Sequence, residues 1–187
     1  TMKRRPLGVG IINLAYWLAK NDTNYTNPDL ALVDEYAEAW SYYLIKASAD
    51  LAVEQGQCPG TNETKYGDGI TPNQTYKKDV DELVPHKERM DWKSLRKQLA
   101  ETGIRNSTPA PCFEARIGVV QISNATNGVE PPRAFVSVKQ SKDGVLKQVV
   151  PGYPRLKNKY ELLWDQQSPE GYIKIMAVLQ KYIDQGI

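Results

Sequence analysis

Residues 29–55 place the strongest constraint on how this 187-residue chain can fold. Apolar side chains recur there at steps of three and four residues, which places them on one side of an α-helix: Leu30, Val33, Ala37, Trp40, Leu44, Ala47 and Leu51. Gly56 follows this run, and glycine readily adopts the left-handed conformation found at helix ends. The pattern therefore predicts one long amphipathic helix with an apolar side to bury against a core.

The other local patterns predict more helices than strands. Helices are expected at 5–20, after Thr71-Pro72, at 91–101, at 154–165 and at 169–185, and a short strand is expected at 104–107. Alternating side chains on both sides of Asp143-Gly144 predict a β-hairpin over 134–150 that turns at this pair. Residues 117–120 fit either a strand or a helix start. The chain is therefore predicted to be α/β, mostly helical, with short strands and one hairpin.

Composition argues against several kinds of partner and site. The net charge of +2 gives no basic field, so no nucleic acid partner is expected. No apolar run approaches the roughly 20 residues of a bilayer span, so no membrane partner is expected either. Polar residues interrupt the basic start of the chain and no small-residue cleavage site follows, so no signal peptide is expected. His86 is the single histidine, which leaves no ordinary histidine-based metal site or catalytic triad.

The cysteine content indicates a reducing compartment. Cys58 and Cys112 are too few for a disulfide framework in a chain of this length, which favours a cytoplasmic location. Five N-x-S/T sequons support one rival interpretation, a secreted glycoprotein domain. They carry little weight, because a chain rich in Asn and Thr produces such triplets by chance.

Two nearby runs carry a resemblance to a known family. Residues 121–133 read QISNATNGVEPPR, and residues 141–151 read SKDGVLKQVVP. Further runs follow the same family pattern in order and spacing: 4–20, 46–59, 103–108, 160–165 and 182–185. Together they resemble the C-terminal part of the catalytic barrel of the large (alpha) subunit of class I ribonucleotide reductases. Only residues 109–120 depart from the pattern.

The resemblance implies a fold and an activity. Residues 1–187 would form the C-terminal portion of a ten-stranded α/β barrel domain, in an enzyme that reduces ribonucleoside diphosphates to deoxyribonucleotides for DNA synthesis. The family's reactive cysteines lie N-terminal to this region, and neither Cys58 nor Cys112 matches one of them. No catalytic residue and no cofactor is therefore expected in this chain, and the isolated chain is expected to be inactive.

The resemblance also implies partners. One is a complementary large-subunit fragment that carries the catalytic cysteines, and another is the radical-bearing small subunit. The complete enzyme would use thioredoxin or glutaredoxin as reductant and ATP or deoxynucleoside triphosphates as effectors.

In this family, the strand that resembles residues 104–108 leads to a loop rich in hydroxyl groups. That loop binds the substrate phosphates at a helix N-terminus, where free amides and a partial positive charge attract anions. Here residues 109–120 read PAPCFEARIGVV, without the hydroxyl cluster. The candidate substrate-phosphate residues are Glu114, Ala115, Arg116, Ile117 and Gly118. The departure is explained either by a local frame slip in the gene or by genuine divergence, and weakened phosphate binding is expected.

The origin of such a chain has several explanations. Family members normally continue past residues 184–187, so the chain is either the product of a split gene, of the kind phages carry, or a truncated remnant. A binding or structural module that retained this segment and lost catalysis is the alternative function. Neighbouring reading frames that encode the missing cysteines would favour the split gene.

Overall fold

The structure is a computed structural model that describes residues 2–109, 128–141 and 144–184. The chain divides into two compact units. Among the described residues, the first unit comprises 2–9, 30–109 and 176–184, and the second comprises 10–29, 128–141 and 144–175.

The fold is α/β and mostly helical, as the sequence predicts. Within the described residues the α-helices are α1 (Leu14–Lys20), α2 (Leu30–Gln55), α3 (Pro72–Thr75), α4 (Trp92–Thr102), α5 (Tyr153–Leu156) and α6 (Glu170–Gln180), and the strands are β1 (Val136–Ser141) and β2 (Gly144–Val149). Short 3-10 helices lie at Thr61–Glu63, Lys65–Asp68, Lys78–Glu82, Lys157–Lys159 and Leu163–Asp165. None of the described helices combines the length and the apolar character that a membrane span requires.

Helix α2 confirms the long helix predicted from the apolar pattern. It ends at Gln55, and Gly56 follows with a φ of +82°. Beyond residue 40 the buried side of α2 differs from the predicted side, and the small side chains of Ser41, Ser48 and Ala49 lie inside. Small side chains allow close approach of a neighbouring element, and α2 packs against α4.

Helix α4 follows its local signals closely. The Asp91 carboxylate accepts a hydrogen bond from the Ser94 amide at 3.1 Å and caps the helix start. Gly103 ends the helix with a φ of +71°. Trp92, Leu95 and Leu99 form the buried side. The predicted helix at 91–101 is therefore confirmed, with bounds shifted by one residue.

The predicted helix at 5–20 is wrong in its first half. Helix α1 begins only at Leu14, because Arg5 and Asn13 have positive φ angles of 43° and 63° that a right-handed helix does not allow. Gly8 and Gly10 lie between Arg5 and Asn13 and further lower the helical propensity of this segment.

The predicted helix at 154–165 is also wrong. Helix α5 is one turn long, and two short 3-10 helices follow it. Tertiary hydrogen bonds hold the residues between them extended, since the Tyr160 hydroxyl donates to the Pro151 carbonyl at 2.8 Å and Glu161 accepts from the Thr26 amide at 2.8 Å. Trp164 is 76% exposed. The helix expected at 169–185 is confirmed as the shorter α6.

The predicted β-hairpin is confirmed by the antiparallel pairing of β1 and β2. Val136 pairs with Val149 and Ser141 pairs with Gly144. Gly144 therefore belongs to β2 and not to the turn predicted at Asp143-Gly144, and residues 142 and 143 between the strands lie outside the described residues. By strand alternation, one side of this hairpin carries four valines, which we call the valine face: Val136, Val138, Val145 and Val149. All four are exposed, while Gln148 on the opposite side is buried.

Candidate substrate-phosphate loop and its flanks

The candidate loop residues 114–118 lie outside the described residues, as do Cys112 and residues 117–120. The segments on either side of the loop are described. We call residues 104–108 the approach segment, which belongs to the first unit, and residues 128–133 the exit segment, which belongs to the second.

The approach segment is held by backbone hydrogen bonds to three separate parts of the first unit. The Cys58 amide donates to the Ile104 carbonyl at 2.9 Å, the Arg105 amide donates to the Ser48 carbonyl at 3.1 Å, and the Ser107 amide donates to the Arg4 carbonyl at 3.0 Å. The strand predicted at 104–107 is therefore not formed, because these partners lie on different segments and make no ladder.

Side chains fix the same segment further. The Asn106 amide group donates to the Arg5 carbonyl at 2.9 Å, and the Asn106 backbone amide donates to the Ser48 hydroxyl at 2.9 Å. The Arg105 guanidinium donates to the Gln55 and Gly56 carbonyls at 3.0 and 2.9 Å. A cation at a helix C-terminus is favourable, so Arg105 also stabilises the end of α2. The candidate loop thus starts from a backbone of fixed direction.

A cavity of about 270 Å³ lies beside the end of the approach segment. Arg4, Lys65 and Asp184 contribute charged groups to its wall. Arg4 is already paired with Glu63 at 2.8 Å, and the Asp184 carboxylate accepts a hydrogen bond from the Tyr66 hydroxyl at 2.9 Å. Burial, with a contribution from Asp184, raises the pKa of Tyr66 well above its usual value. The mixture of both charge signs makes this cavity a poor anion site.

The first unit also contains a buried ionic cluster, formed by Asp34, Glu38, Arg89, Lys181 and Tyr182. The carboxylate of Asp34 accepts from the Lys181 ammonium at 2.8 Å, from the Tyr182 hydroxyl at 3.0 Å and from the Arg89 guanidinium at 2.8 Å. The side chains of Asp34, Glu38 and Lys181 are fully buried. Burial and then Asp34 raise the pKa of Tyr182.

Glu38 organises the chain that leads into α4. Its carboxylate accepts from the Arg89 guanidinium at 2.8 Å, from the Arg89 and Met90 amides at 2.6 and 3.1 Å, and from the Trp92 indole at 3.0 Å. Burial opposes the charge of Arg89, but hydrogen bonds from Arg89 to Glu38 and Asp34 outweigh it and raise its pKa. Each charge in the cluster has a partner, so the cluster fixes structure and offers no vacant ligand position.

Sequence reasoning missed this cluster. Residues 85–90 are polar and charged, a composition typical of a solvent-facing stretch, yet Arg89 belongs to the cluster. One signal was available, because Asp34 and Glu38 stand four residues apart next to the apolar side of α2, where a carboxylate needs a partner. Lys181 likewise interrupts the apolar run at 178–183.

The remaining candidates for chemistry are weak. Cys58 is buried and free, with its sulfur 3.4 Å from the Thr61 hydroxyl, which fits the ordinary thiol expected from its sequence context. No group of three His, Cys, Asp or Glu residues that could hold a metal ion occurs in the described part of the chain.

The exit segment is fixed within the second unit. The Leu14 amide donates to the Gly128 carbonyl at 3.3 Å, and the Tyr25 hydroxyl donates to the Val129 carbonyl at 2.8 Å. Tyr25 contacts Tyr172, with ring centroids 5.8 Å apart, and burial raises its pKa well above the usual value. Both flanks of the candidate loop are therefore anchored, each in its own unit.

Comparison with known proteins gives a consistent family. The model of the ribonucleotide reductase barrel domain matches residues 1–157. The alpha subunit of ribonucleoside-diphosphate reductase 1 from Salmonella typhimurium is 51% identical over the whole chain, which corresponds to 24% of that relative. The alpha subunit from Haemophilus influenzae is also 51% identical, over 25% of its length. The alpha subunit from Enterobacteria phage T4 is 39% identical over 98% of the chain and 24% of its own length.

The lengths of these relatives show how much of an alpha subunit the chain corresponds to. It spans about a quarter of the length of the curated alpha subunits that it matches, yet the match extends over all of its own residues. The family model alone covers well over half of the chain. The chain belongs to the ribonucleotide reductase barrel-domain family.

Proposed function

We propose that this chain is part of the large subunit of a ribonucleoside-diphosphate reductase. That enzyme reduces ribonucleoside diphosphates to deoxyribonucleotides for DNA synthesis, and residues 1–187 form a C-terminal portion of its barrel domain. The observation that carries the proposal is the 51% identity to alpha subunits along the entire chain. Such identity over 187 residues makes a common fold and a common role the simplest explanation.

We propose that residues 114–118, within a diverged loop at 109–120, occupy the position of the family's substrate-phosphate site and bind phosphate only weakly, because the loop hydroxyls are missing. Phosphate binding by backbone amides requires a loop of defined position, because the amides must converge on one anion. The exit segment supports such a position, because it anchors the C-terminal side of the loop within the second unit. Arg116 and the amides near Gly118 are the groups that would remain to meet a phosphate in such a weakened site.

The reactive groups of the enzyme are proposed to lie outside this chain. The catalytic cysteines belong to the complementary portion of the large subunit, and the radical is held by the small subunit. Thioredoxin or glutaredoxin supplies the electrons, ATP and deoxynucleoside triphosphates act as effectors, and the complex is cytoplasmic.

The test is reconstitution. The chain alone, with a small subunit, a nucleoside diphosphate and reduced thioredoxin, is expected to show no turnover. A chimera in which this chain replaces the matched quarter of the Salmonella typhimurium relative is expected to restore turnover. A folded chimera that assembles with the small subunit and has no activity would overturn the proposal. Turnover by the isolated chain would show that the catalytic cysteines do not lie elsewhere.

Substrate binding is tested separately by calorimetry. The lost loop hydroxyls are hydrogen-bond donors worth about 0.5–1.5 kcal/mol each, so losing two or three weakens nucleotide binding by one to several powers of ten. We therefore expect no binding of the four ribonucleoside diphosphates to the isolated chain below millimolar concentration. Saturable binding that disappears in Arg116→Ala would instead identify a working, diverged phosphate site.

One observation favours a second function, a non-catalytic binding or structural remnant. Residues 109–120 depart from the family pattern while both flanks follow it. The chimera separates the two functions, when compared with a version whose residues 109–120 are replaced by the relative's own. Activity only in the replaced version would favour the remnant, and similar activity in both would favour the enzyme.

A further inference from the structure

Tyr25 lies where three segments of the second unit meet. Its side chain is 2% exposed, and its hydroxyl donates a hydrogen bond to the Val129 carbonyl at 2.8 Å. Its ring contacts Tyr172 of α6, with ring centroids 5.8 Å apart and ring planes tilted by 49°. One side chain therefore joins the residues after α1 to the exit segment and to α6.

Neighbouring contacts hold Tyr25 independently of the exit segment. A Cβ added at Gly171 would collide with the Tyr25 carbonyl oxygen, so α6 approaches the backbone of Tyr25 as closely as glycine allows. The next residue, Thr26, donates its amide to the Glu161 carboxylate at 2.8 Å. Because the backbone and the ring of Tyr25 both have close neighbours, its hydroxyl is presented to the exit segment from a fixed position.

Two consecutive carbonyls of the exit segment are anchored. Besides the Val129 carbonyl, the Gly128 carbonyl accepts a hydrogen bond from the Leu14 amide at 3.3 Å. Leu14 is the first residue of α1, so its amide has no acceptor within the helix. Gly128 and Val129 are buried, where a carbonyl without a donor is costly. Because the two carbonyls are adjacent, loss of the Tyr25 hydroxyl is expected to weaken the Leu14 contact as well.

The Tyr25 hydroxyl keeps its proton at neutral pH. Burial raises its pKa well above the usual value, and nearby Tyr172 and Glu130 raise it further. A protonated hydroxyl is a donor, which is what the Val129 carbonyl requires.

The exit segment follows residues 109–127, which include the candidate loop. Backbone amides bind a phosphate only where several of them converge on one anion. Displacement of the chain at the end of the loop therefore weakens phosphate binding, while reactive groups that lie elsewhere are unaffected.

We propose that Tyr25 is a positioning residue for substrate binding, whose hydroxyl fixes the exit segment and with it the C-terminal side of the loop that meets the phosphates of a ribonucleoside diphosphate. This role rests on the proposed function, which supplies the substrate and the reactive cysteines outside the chain. Loss of the hydroxyl is therefore expected to raise KM and to leave kcat nearly unchanged.

Hydrogen exchange in the isolated chain tests the anchor. Tyr25→Phe removes the hydroxyl and keeps the ring against Tyr172. Tyr160→Phe is the matched control, because Tyr160 is also buried in the second unit and donates its hydroxyl to a backbone carbonyl, that of Pro151, at 2.8 Å. Loss of one hydrogen bond changes an equilibrium by about 2- to 12-fold. Exchange of the Leu14 amide is expected to be faster by that factor in Tyr25→Phe and unchanged in Tyr160→Phe.

Steady-state kinetics test the substrate role. The background is the chimera with the relative's own residues at 109–120, so that the hydroxyl-rich loop of the family is present. In this chimera Tyr25→Phe is expected to raise the KM for a ribonucleoside diphosphate by about 2- to 12-fold and to change kcat by less than about twofold. Tyr160→Phe is expected to leave KM unchanged.

The outcomes separate this role from the proposed function. Unchanged exchange at Leu14 in Tyr25→Phe overturns the anchor. Faster exchange with an unchanged KM overturns the substrate role and leaves the proposed function standing. An equal rise of KM in Tyr160→Phe overturns the specific role of Tyr25, because any loss of stability in the second unit would then have the same effect. A folded chimera without turnover overturns the proposed function and the substrate role together, whereas exchange at Leu14 still tests the anchor.

Discussion

Glu38→Ala is expected to be among the most destabilising single substitutions in the first unit. The carboxylate of Glu38 is fully buried and accepts four hydrogen bonds, from the Arg89 guanidinium, from the Arg89 and Met90 amides and from the Trp92 indole. Truncation leaves these donors without an acceptor and leaves a half-buried guanidinium with less compensating charge. Removing one partner of a buried ion pair costs about 3–5 kcal/mol, a large fraction of the roughly 5–15 kcal/mol that stabilises a typical domain.

Equilibrium unfolding in urea, followed by circular dichroism and tryptophan fluorescence, measures this effect. Glu35→Ala is the matched control, because Glu35 lies on the same helix, three residues away, with an exposed side chain. The unfolding free energy of Glu35→Ala is expected to differ from that of the unmodified protein by less than about 0.5 kcal/mol. Glu38→Gln keeps the size and one acceptor and should fall between the two. A loss below about 1 kcal/mol in Glu38→Ala would refute the view that this carboxylate holds residues 89–92 in place.

Three further outcomes are expected. Burial and Asp34 raise the pKa of Tyr182, so the stability that its neutral hydroxyl contributes is complete below the ordinary tyrosine pKa of about 10 and is lost as the pH rises above that value. In Tyr182→Phe the urea midpoint should therefore fall less between pH 9 and 11 than in the unmodified protein. An unchanged pH profile would contradict this expectation. Gly103→Ala should lower the unfolding free energy by about 1–3 kcal/mol, because Gly103 has a φ of +71° and the added Cβ would collide with the Gln57 side chain. The loss should be larger than that of Gly56→Ala, where an added Cβ meets no other atom. Equal losses in the two variants would argue against the collision with Gln57. Arg105→Ala should increase hydrogen exchange at the end of α2, whereas Lys97→Ala, an exposed residue on α4, should not.

Short-range sequence signals predicted the helices and strands that short-range interactions stabilise. Helix α4 is marked by Asp91 at its start and Gly103 at its end, and both residues act as their types suggest. The hairpin is marked by alternation around Asp143-Gly144. The first half of the predicted helix at 5–20 failed because periodicity does not reveal that Arg5 and Asn13 adopt positive φ angles.

The candidate site was only partly predictable for a different reason. The approach segment was expected to be a strand, but its partners are Arg4, Ser48 and Cys58, which are far from it in sequence. The buried cluster joins Asp34 to Lys181 across 147 positions, and a charged residue on an apolar face does not identify so distant a partner. Residues 114–118 were proposed from the family resemblance, and that assignment stays a prediction.

The long-range pairing within the buried cluster has a consequence during protein synthesis. Asp34 and Lys181 are 147 positions apart, and ribosomes add about 5–20 residues per second, so roughly 7–30 s separate the synthesis of the two partners. During that interval the nascent chain contains α2 with the Asp34 carboxylate still lacking the lysine that neutralises it. Burial of this face of α2 in its final arrangement is therefore delayed until Lys181 has been synthesised, and the first unit completes its folding only after that point. Chaperones that bind exposed apolar helices would meet α2 in this period.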